Sequence, residues 1–310
     1  MMIEVKNLVK RYGSLVALDH FNLEVRDGEI FGLLGPNGSG KTTAINCMLS
    51  LLKYDKGEVS LFQEPMSPTN YESKRKIGIV PQNVAVFNEL TVYENIDYFC
   101  GLYIPEKNKR RPLVEEAIEF AGLKEYRKFL PKKLSGGLIR RLNIACGIAH
   151  KPQLIFLDEP TVAVDPQSRN NILEGIKALN AGGATIVYTS HYMEEVEQLC
   201  SRIMIMDKGR EVATGTKEEL TAMINTGEKL TVEIYSLPLR ILEQIRSLED
   251  VIKAEYSDSH LSAECKSGGH AIIEVLDLLR QNNLKFGQIY SEPPTLNDVF
   301  LEITGKQLRD

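Results

Sequence analysis

The sequence lacks any apolar stretch long enough for a membrane-spanning helix. No segment approaches the roughly 18 uncharged apolar residues that such a helix requires. The longest apolar runs, Ile30–Leu34 and Leu154–Leu157, have the length of buried strands. The N-terminus starts with the strand-like Ile3-Glu4-Val5 and has no signal-peptide hydrophobic region. We therefore expect a cytoplasmic protein that contacts a membrane only through a partner.

Cysteine pairs with functional spacing are also lacking. The five cysteines are odd in number, and no two have the spacing of metal ligands or of a redox pair: Cys47, Cys100, Cys146, Cys200 and Cys265. This scatter excludes a disulfide framework and a cysteine metal site. It is typical of reduced thiols, most of them packed in the interior.

An excess of basic residues is lacking as well. The net charge is −5; residues 1–220 contain 28 basic and 28 acidic side chains, and residues 221–310 contain 9 and 14. Neither part has the basic field that a nucleic-acid partner requires, so we expect none. One dense basic run lies between Pro105 and Pro112 and is interpreted as a solvated loop. It consists of Lys107, Lys109, Arg110 and Arg111.

The first part of the chain alternates short apolar strands with helical patterns, which predicts an α/β fold with a parallel sheet. Helices are expected at Thr42–Leu52 and at Thr91–Leu102, where Thr91 and Glu94 form a capping pattern. Three helical patterns within 112–150 predict a helical subdomain over about 84–150. The predicted strands are Ile30–Leu34, Ile77–Val80, Leu154–Leu157, Thr185–Thr189 and Ile203–Met206.

A second, smaller domain is predicted after the polar, turn-prone stretch 225–228, which we interpret as a linker. The domains are then 1–224 and 225–310. The second has a strand–helix–strand–strand–helix–strand order, typical of a small ferredoxin-like unit, and a last helix beginning near Thr295. These elements are expected at Leu230–Tyr235, Leu239–Ser247, Val251–Tyr256, Leu261–Cys265, Ala271–Gln281 and Phe286–Tyr290. We find no ligand-binding constellation in 229–310.

A complete phosphate-binding loop occupies residues 35–42 and reads Gly-Pro-Asn-Gly-Ser-Gly-Lys-Thr. It follows a predicted strand and opens a predicted helix, the context in which this pattern binds a nucleoside triphosphate. Its glycines let the backbone N–H groups approach the phosphates, and the helix N-terminus adds positive partial charge. Lys41 should reach the β- and γ-phosphates, and Thr42 should bind Mg²⁺. The predicted nucleotide contacts here are Gly35, Pro36, Asn37, Gly38, Ser39, Gly40, Lys41, Thr42 and Thr43.

Two carboxylates follow the apolar strand Leu154–Leu157. The carboxyl ends of parallel strands are where such sheets bind ligands, so both side chains should reach the phosphate site. We expect Asp158 to bind Mg²⁺ through water and Glu159 to polarise the attacking water. A nucleoside triphosphate and Mg²⁺ are therefore the expected substrate and cofactor, and the resemblance described next implies that the nucleotide is ATP.

With Leu134-Ser135-Gly136-Gly137, the chain resembles the ATP-binding subunit of an ATP-binding-cassette (ABC) transporter. The resemblance covers residues 1–220 and rests on an ordered set of features: Tyr12, the phosphate loop, Gln82, Ser135-Gly136-Gly137, Asp158-Glu159, Asp165 and His191. It implies an ATP hydrolase with the P-loop NTPase fold.

The resemblance also implies roles for the remaining residues of this set. Tyr12 would stack on adenine, and Gln82 would sense Mg²⁺ and the γ-phosphate. Ser135 through its hydroxyl and Gly137 through its N–H would grip the γ-phosphate presented by another protomer, and Gly136 between them is also an expected nucleotide contact. His191 would hydrogen-bond the γ-phosphate near Glu159, and Asp165 would cross the dimer interface. Glu159, His191 and Gln82 are thus the expected catalytic residues, and Thr42, Gln82 and Asp158 the expected metal site.

Two departures from the family pattern leave the expectation of nucleotide binding unchanged, but they leave turnover and the detail of protomer communication open. Leu138 stands where family members often have Gln, and Val162-Ala163-Val164 stands where small polar residues or glycine are usual. Since the chain has one phosphate loop and one Ser-Gly-Gly, we expect two copies to close head-to-tail around two ATP molecules.

Residues 292–305 resemble the tail of the branch that pairs with ABC-2-type membrane subunits, largely exporters. That resemblance implies a membrane-spanning permease as partner and a position at the inner face of the cell membrane. Leu296, Val299, Phe300 and Ile303 predict an amphipathic helix that packs on the small domain. Two other functions stay open: a soluble non-transport ABC ATPase and a nucleotide-gated regulator with little turnover.

Overall fold

The computed structural model describes residues 1–305. They form two compact units, which divide between Thr214 and Gly215. The predicted boundary, between residues 224 and 225, is ten residues further along the chain. Residues 306–310, which the predicted second domain includes, lie outside the described part of the chain.

The first unit contains two sheets and a helical segment. Its elements in chain order are β1 (Ile3–Tyr12), β2 (Leu15–Val25), β3 (Ile30–Leu34), α1 (Lys41–Met48), β4 (Lys56–Leu61), β5 (Glu64–Pro65), α2 (Tyr71–Lys74), β6 (Ile77–Val80), α3 (Val92–Gly101), α4 (Lys107–Phe120), α5 (Gly136–Ile148), β7 (Leu154–Asp158), α6 (Pro166–Ala181), β8 (Thr185–Ser190), α7 (Met193–Leu199), β9 (Arg202–Asp207) and β10 (Arg210–Gly215). Short 3₁₀ turns at Lys124–Tyr126 and Pro131–Lys133 precede α5.

The central sheet has six strands in the order β10-β9-β3-β8-β7-β6. The neighbours from β9 to β6 are parallel, as the alternation of strands and helices predicted. Every residue of β3, β7 and β8 is buried, because helices and the second sheet cover such strands on both faces. The carboxyl ends of β3, β6, β7 and β8 bring the phosphate loop, Gln82, Glu159 and His191 to one edge of the sheet.

A second sheet, of antiparallel strands in the order β2-β1-β4-β5, was not predicted from the sequence. Polar residues such as Lys6 and Asn7 interrupt the apolar alternation of β1, and its pairing with β2 contains register shifts. Side chains from both sheets and from α1 share one hydrophobic core, which includes Phe21, Phe31 and Met48. This core anchors α1 beneath the phosphate loop. The predicted helix Thr42–Leu52 ends earlier, at Met48.

The helical segment lies between β6 and β7 and contains α3, α4 and α5. Thr91 and Glu94 form the predicted capping box of α3. The interpretation of the basic run as a solvated loop is wrong, because Lys107–Arg111 forms the first turns of α4. Arg110 is buried and donates to both carboxylate oxygens of Asp97 at 2.7 and 3.1 Å. Residues 112–150 hold two α-helices and two 3₁₀ turns rather than three helices.

The second unit contains α8 (Lys217–Thr221), β11 (Thr226–Ile234), α9 (Leu239–Arg246), β12 (Val251–Ser257), β13 (His260–Lys266), α10 (Ala271–Gln281), β14 (Phe286–Glu292) and α11 (Leu296–Thr304). The βαββαβ order is confirmed, and the antiparallel strand order is β12-β13-β11-β14. The predicted linker is wrong, because Thr226 already begins β11. In α11, Leu296, Val299 and Phe300 are buried as predicted, whereas Ile303 is 40% exposed.

Candidate functional site

The phosphate loop joins β3 to α1, and its glycines are required by close contacts. A Cβ on Gly35 would collide with the carbonyl oxygen of Met206, and Gly40 has a φ of 109°, which favours glycine. The Lys41 ammonium is buried and donates to the carbonyl oxygens of Gly35 at 2.7 Å and Pro36 at 3.2 Å. Burial lowers the pKa of Lys41, and the nearby Glu159 opposes this shift. The loop thus holds a cation at its centre.

The carboxylate of Asp158 lies at the end of β7 and accepts two hydroxyl hydrogen bonds. Thr42 Oγ1 donates to Asp158 Oδ2 at 2.8 Å, and Thr189 Oγ1 donates to Oδ1 at 2.7 Å. Asp158 is 6% exposed, so these contacts fix its orientation. The structure therefore brings together Thr42 and Asp158, two of the three predicted metal ligands.

Glu159 is the point at which the predicted catalytic residues meet. Gln82 Nε2 donates to Glu159 Oε2 at 3.0 Å, while Lys41 Nζ and His191 Nδ1 lie 3.4 and 3.5 Å from Oε1. Its backbone N–H donates to Thr189 Oγ1 at 3.0 Å. Glu159 has a φ of 47°, a left-handed conformation that costs free energy outside glycine and persists only where neighbours impose it. The carboxylate is thereby directed at the phosphate loop.

The third predicted metal ligand, Gln82, lies in a loop that α5 holds in place. Arg140 Nη1 donates to the carbonyl oxygen of Gln82 at 2.7 Å. Asn143 donates to the carbonyl of Pro81 at 3.2 Å and accepts from the N–H of Ala85 at 3.0 Å. Sequence reasoning missed Arg140 and Asn143, both of which are buried. Two polar residues on the buried face of an otherwise apolar helix were the available signal.

Ser135, Gly136 and Gly137 form the N-terminus of α5, where Ser135 Oγ caps the helix by accepting from the N–H of Leu138 at 3.3 Å. Gly136 faces open space. A Cβ on Gly137 would lie 2.5 Å from Ser168 Oγ and 3.2 Å from Asp165 Oδ2. The Ser-Gly-Gly segment is therefore packed against the start of α6, where Asp165 caps the helix through the N–H of Ser168 at 2.9 Å.

Tyr12 ends β1, and its ring is 48% exposed. The ammonium of Lys10 lies 4.8 Å from the ring centroid. In the same hairpin, the carbonyl oxygen of Ala17 would lie 2.8 Å from a Cβ on Gly40, so β2 lies against the phosphate loop. An exposed aromatic ring in this hairpin can stack on a planar base.

The residues present fit a nucleoside triphosphate and Mg²⁺. The Ser39 hydroxyl is buried and has no hydrogen-bond partner among the described residues, so it can bind a phosphate oxygen. Thr42 and Asp158 place a hydroxyl and a carboxylate side by side, and Mg²⁺ prefers such oxygen ligands together with substrate phosphates. Within residues 1–305 no group of three or more His, Cys, Asp or Glu side chains could hold a metal by itself.

Comparison with known proteins identifies the family. The family model described as ABC transporter matches residues 18–162. The linearmycin resistance ATP-binding protein LnrL of Bacillus subtilis is 36% identical over 100% of both chains. The Nod factor export ATP-binding protein I of Cupriavidus metallidurans is 33% identical over 100% of this chain and 99% of its own. The chain belongs to the ABC transporter family. A dimeric post-hydrolysis structure of the cassette MJ0796, bound to ADP and Pi, superposes with a TM-score of 0.64 at 29% identity, covering 69% of this chain and 98% of that chain.

This ABC protein has the P-loop NTPase fold and is an ATP hydrolase. No helix in residues 1–305 is long and apolar enough to cross a membrane. Of the departures from the family pattern, Leu138 is half-buried against the hydrophobic core of the helical segment. Its side chain thus packs within the helical segment. Ala163 has a φ of 59°, a conformation that the glycine usual in this segment adopts more readily.

Proposed function

We propose that this ABC ATPase powers export of a molecule through a separate membrane-spanning subunit. The proposal rests on full-length similarity to proteins named for linearmycin resistance and Nod factor export. It is supported by the arrangement of Gln82 and His191 around Glu159, which suits ATP hydrolysis. Specificity for the exported molecule then belongs to the membrane subunit. The chain described here supplies the free energy of ATP hydrolysis.

The residues divide the work of hydrolysis according to their positions. Lys41, which is already buried and charged in the loop, binds the β- and γ-phosphates in place of its carbonyl partners. Glu159 accepts the proton of the attacking water as general base. Gln82 and His191 orient that water and the γ-phosphate from either side of Glu159. Excess negative charge that develops on the γ-phosphate is stabilised by these fixed donors.

Mg²⁺ would be held by Thr42 and Asp158, with Gln82 beside it. When bound, it partly neutralises the β- and γ-phosphate charges and so favours attack by water. The Thr42–Asp158 hydrogen bond keeps both ligands oriented before the metal arrives. Thr189 serves the same end, because its hydroxyl fixes the other oxygen of Asp158.

Two copies of the chain bind ATP between them. Each copy has one phosphate loop and one Ser-Gly-Gly segment, so a site that needs both takes one from each protomer. Ser135 and the open side of Gly136 contact the γ-phosphate bound to the partner, and Asp165 extends to the same interface. Closure around ATP and reopening after hydrolysis form the mechanical cycle.

An exposed aromatic surface supports docking to the membrane subunit. Phe87, Tyr98 and Phe99 pack with ring centroids 5.0 to 5.8 Å apart. Tyr98 is 47% exposed and Leu102 is 63% exposed. Exposed apolar side chains that lie close together are typical of protein interfaces. The surface lies beside the Gln82 loop, so a change around the γ-phosphate can reach the partner. The protein would thus be peripheral on the inner face of the cell membrane.

The substitution Glu159→Gln tests the hydrolytic site. We expect ATP binding to be retained and hydrolysis to fall about 10²–10⁴-fold, the usual worth of a general base. Light scattering of this variant with ATP and Mg²⁺ should detect a dimer. Lys41→Ala, in contrast, should lose ATP binding itself. Normal hydrolysis by Glu159→Gln would refute the assignment of the base.

The partner is identified by purifying tagged Glu159→Gln from native membranes in mild detergent with ATP. Recovery of a stoichiometric multi-span membrane protein supports the exporter function and names the component that selects the substrate. Recovery of only soluble proteins, ribosomes or nucleic acid contradicts it. A dimer that forms only when the membrane protein is present would still be consistent with the proposal.

A further inference from the structure

Glu195 is a buried carboxylate close to the hydrolytic residues but outside the set that the sequence singled out. It belongs to α7 and is 3% exposed. Its Oε2 atom accepts hydrogen bonds from the hydroxyls of Tyr188 at 2.6 Å, Thr161 at 2.7 Å and Ser190 at 3.1 Å. Its Oε1 atom lies 3.2 Å from Arg169 Nε as an ion pair. Four partners from three segments, the loop after β7, β8 and α6, therefore meet on one side chain.

These partners lie next to residues of the hydrolytic cycle. Thr161 follows Glu159 by two positions and precedes Asp165 by four. Ser190 immediately precedes His191, and its hydroxyl also accepts the backbone N–H of Tyr192 at 2.9 Å. Glu195 consequently connects the loop after the general base with the segment that holds the switch histidine.

The fourth partner, Arg169, extends this connection to α6. Its backbone N–H donates to the carbonyl oxygen of Asp165 at 2.9 Å, and its guanidinium lies 4.8 Å from the centroid of the Tyr192 ring. Arg169 thus contacts residues on both sides of the site as well as Glu195. A buried carboxylate is expensive unless it is hydrogen-bonded and paired. Here Oε2 accepts three hydroxyl hydrogen bonds, whereas Oε1 forms an ion pair with Arg169 but no hydrogen bond.

The loop that Glu195 holds is conformationally strained. Glu159 and Ala163, on either side of Thr161, both have left-handed backbone conformations. Such conformations persist where surrounding contacts over-determine them, and functional sites are where they concentrate. The 2.7 Å Thr161–Glu195 hydrogen bond fixes the middle of this strained loop, and the Tyr188 hydroxyl lies farther from the same Thr161 oxygen, at 3.4 Å.

We propose that Glu195 is a positioning residue for ATP hydrolysis, which holds the Glu159–Asp165 loop in register with His191. The proposal rests on the proposed roles of Glu159 and His191. Glu195 does not contact the nucleotide in this scheme. It sets the distance between the general base and the switch histidine, and it carries a displacement of Asp165 to His191 through Thr161 and Ser190.

The test compares steady-state ATP hydrolysis by the full chain in four variants. Glu195→Gln retains the shape and an acceptor oxygen but loses the charge that pairs with Arg169. Thr161→Val removes one hydroxyl donor at nearly constant volume. The third variant combines both, and Glu194→Gln, an exposed carboxylate on the same helix, is the matched control. The fraction of folded, ATP-binding protein is measured for each variant.

We expect Glu195→Gln and Thr161→Val each to lower kcat about 10-fold, while KM for ATP changes less than about 2-fold. The combined variant should be no slower than the slower single variant, because both changes break the same connection. Glu194→Gln should behave as the unmodified chain. Unchanged kcat in Glu195→Gln, or losses that multiply in the combined variant, would overturn the proposal. So would a fall in activity that only follows the folded fraction, because this would indicate a purely structural role.

Failure of the proposed function gives a different result. If Glu159→Gln hydrolyses ATP normally, the base has been wrongly assigned, whatever the Glu195 variants do. If Glu159→Gln is inactive and Glu195→Gln is fully active, the hydrolytic site stands and the positioning role of Glu195 is refuted.

Discussion

Among single residues, Gly137 has the strictest steric requirement of the Ser-Gly-Gly segment. A Cβ there would lie 2.5 Å from Ser168 Oγ and 2.9 Å from Ser168 Cβ, both closer than real Cβ contacts. Gly136, the preceding residue, has open space instead. The two glycines therefore serve different ends. Gly137 allows α5 to approach α6 within one protomer, whereas Gly136 leaves open space at the surface, where we propose that the nucleotide held by the other protomer binds.

We predict that Gly137→Ala destabilises the isolated protein and Gly136→Ala does not. Overpacking at Gly137 should cost about 1–3 kcal/mol of unfolding free energy. Alanine at the exposed Gly136 should be neutral or stabilising by up to about 1 kcal/mol, because alanine favours helix. Urea unfolding of the two variants measures the difference.

Replacing the crowding side chain gives the control for this prediction. Ser168→Gly alone should cost helix stability, but Gly137→Ala should cost less in that background than in the unmodified chain. Equal costs in the two backgrounds would refute the crowding argument.

Between elements, His150 joins the helical segment to the central sheet. It follows α5, stacks on the ring of Tyr103 at 3.6 Å between centroids, and donates from Nε2 to the carbonyl oxygen of Ile77 in β6 at 3.0 Å. Burial lowers the pKa of His150 to about 4, although the hydrogen bond to Ile77 opposes this shift. The histidine is therefore neutral in the folded protein at neutral pH.

This low pKa predicts a loss of stability in mild acid. Between pH 6.5 and 4 the unfolded chain binds a proton at His150 while the folded protein does not, so unfolding becomes more favourable as pH falls. The free energy of unfolding should therefore fall by up to about 3 kcal/mol between pH 6.5 and pH 4 because of His150 alone. Urea unfolding as a function of pH should give a shallower acid slope for His150→Gln. The exposed His260→Gln is the control, and a slope unchanged by His150→Gln would contradict the prediction.

Helices and strands also differ in how well the sequence predicted them and their contacts. The capping box at Thr91 and the strand Ile77–Val80 were predictable, because their signals lie within a few residues. The basic run was misjudged because the partner of Arg110 is Asp97, on another helix. Arg140 and Asn143 escaped notice for the same reason, and so did the contact of Glu195 with Thr161. The two residues of each of these contacts are distant in sequence, and only the folded chain brings them together.

At the scale of the whole molecule, each unit has a hydrophobic core of its own. The second unit's core is formed by one face of its sheet together with α9 and α10. Leu279 of α10 is completely buried in it, whereas Ile273 of the same helix is 60% exposed. All the predicted nucleotide-site residues belong to the first unit. Nucleotide binding should therefore stabilise the first unit, and a substitution in the core of the second unit should destabilise only the second.

We predict two separable unfolding transitions in calorimetry. In the Glu159→Gln background, ATP and Mg²⁺ at about 100 times the dissociation constant should stabilise the first unit by roughly 2.7 kcal/mol. Leu279→Ala should destabilise the second unit by about 2–5 kcal/mol and leave the ATP-sensitive transition in place. Ile273→Ala should move neither. A single transition that responds to both changes would show that the units unfold together.

The pairing of β3 also has a consequence for synthesis on the ribosome. The strand that carries the phosphate loop lies between β8 and β9, so its neighbours begin near residues 185 and 202. At about 5–20 residues per second, roughly 8–30 s separate the emergence of Lys41 from that of His191. Throughout this interval β3 exposes two unpaired edges, and the nascent chain cannot hydrolyse ATP. The residues that one chain contributes to hydrolysis thus come together late, when β8 and β9 pair with β3.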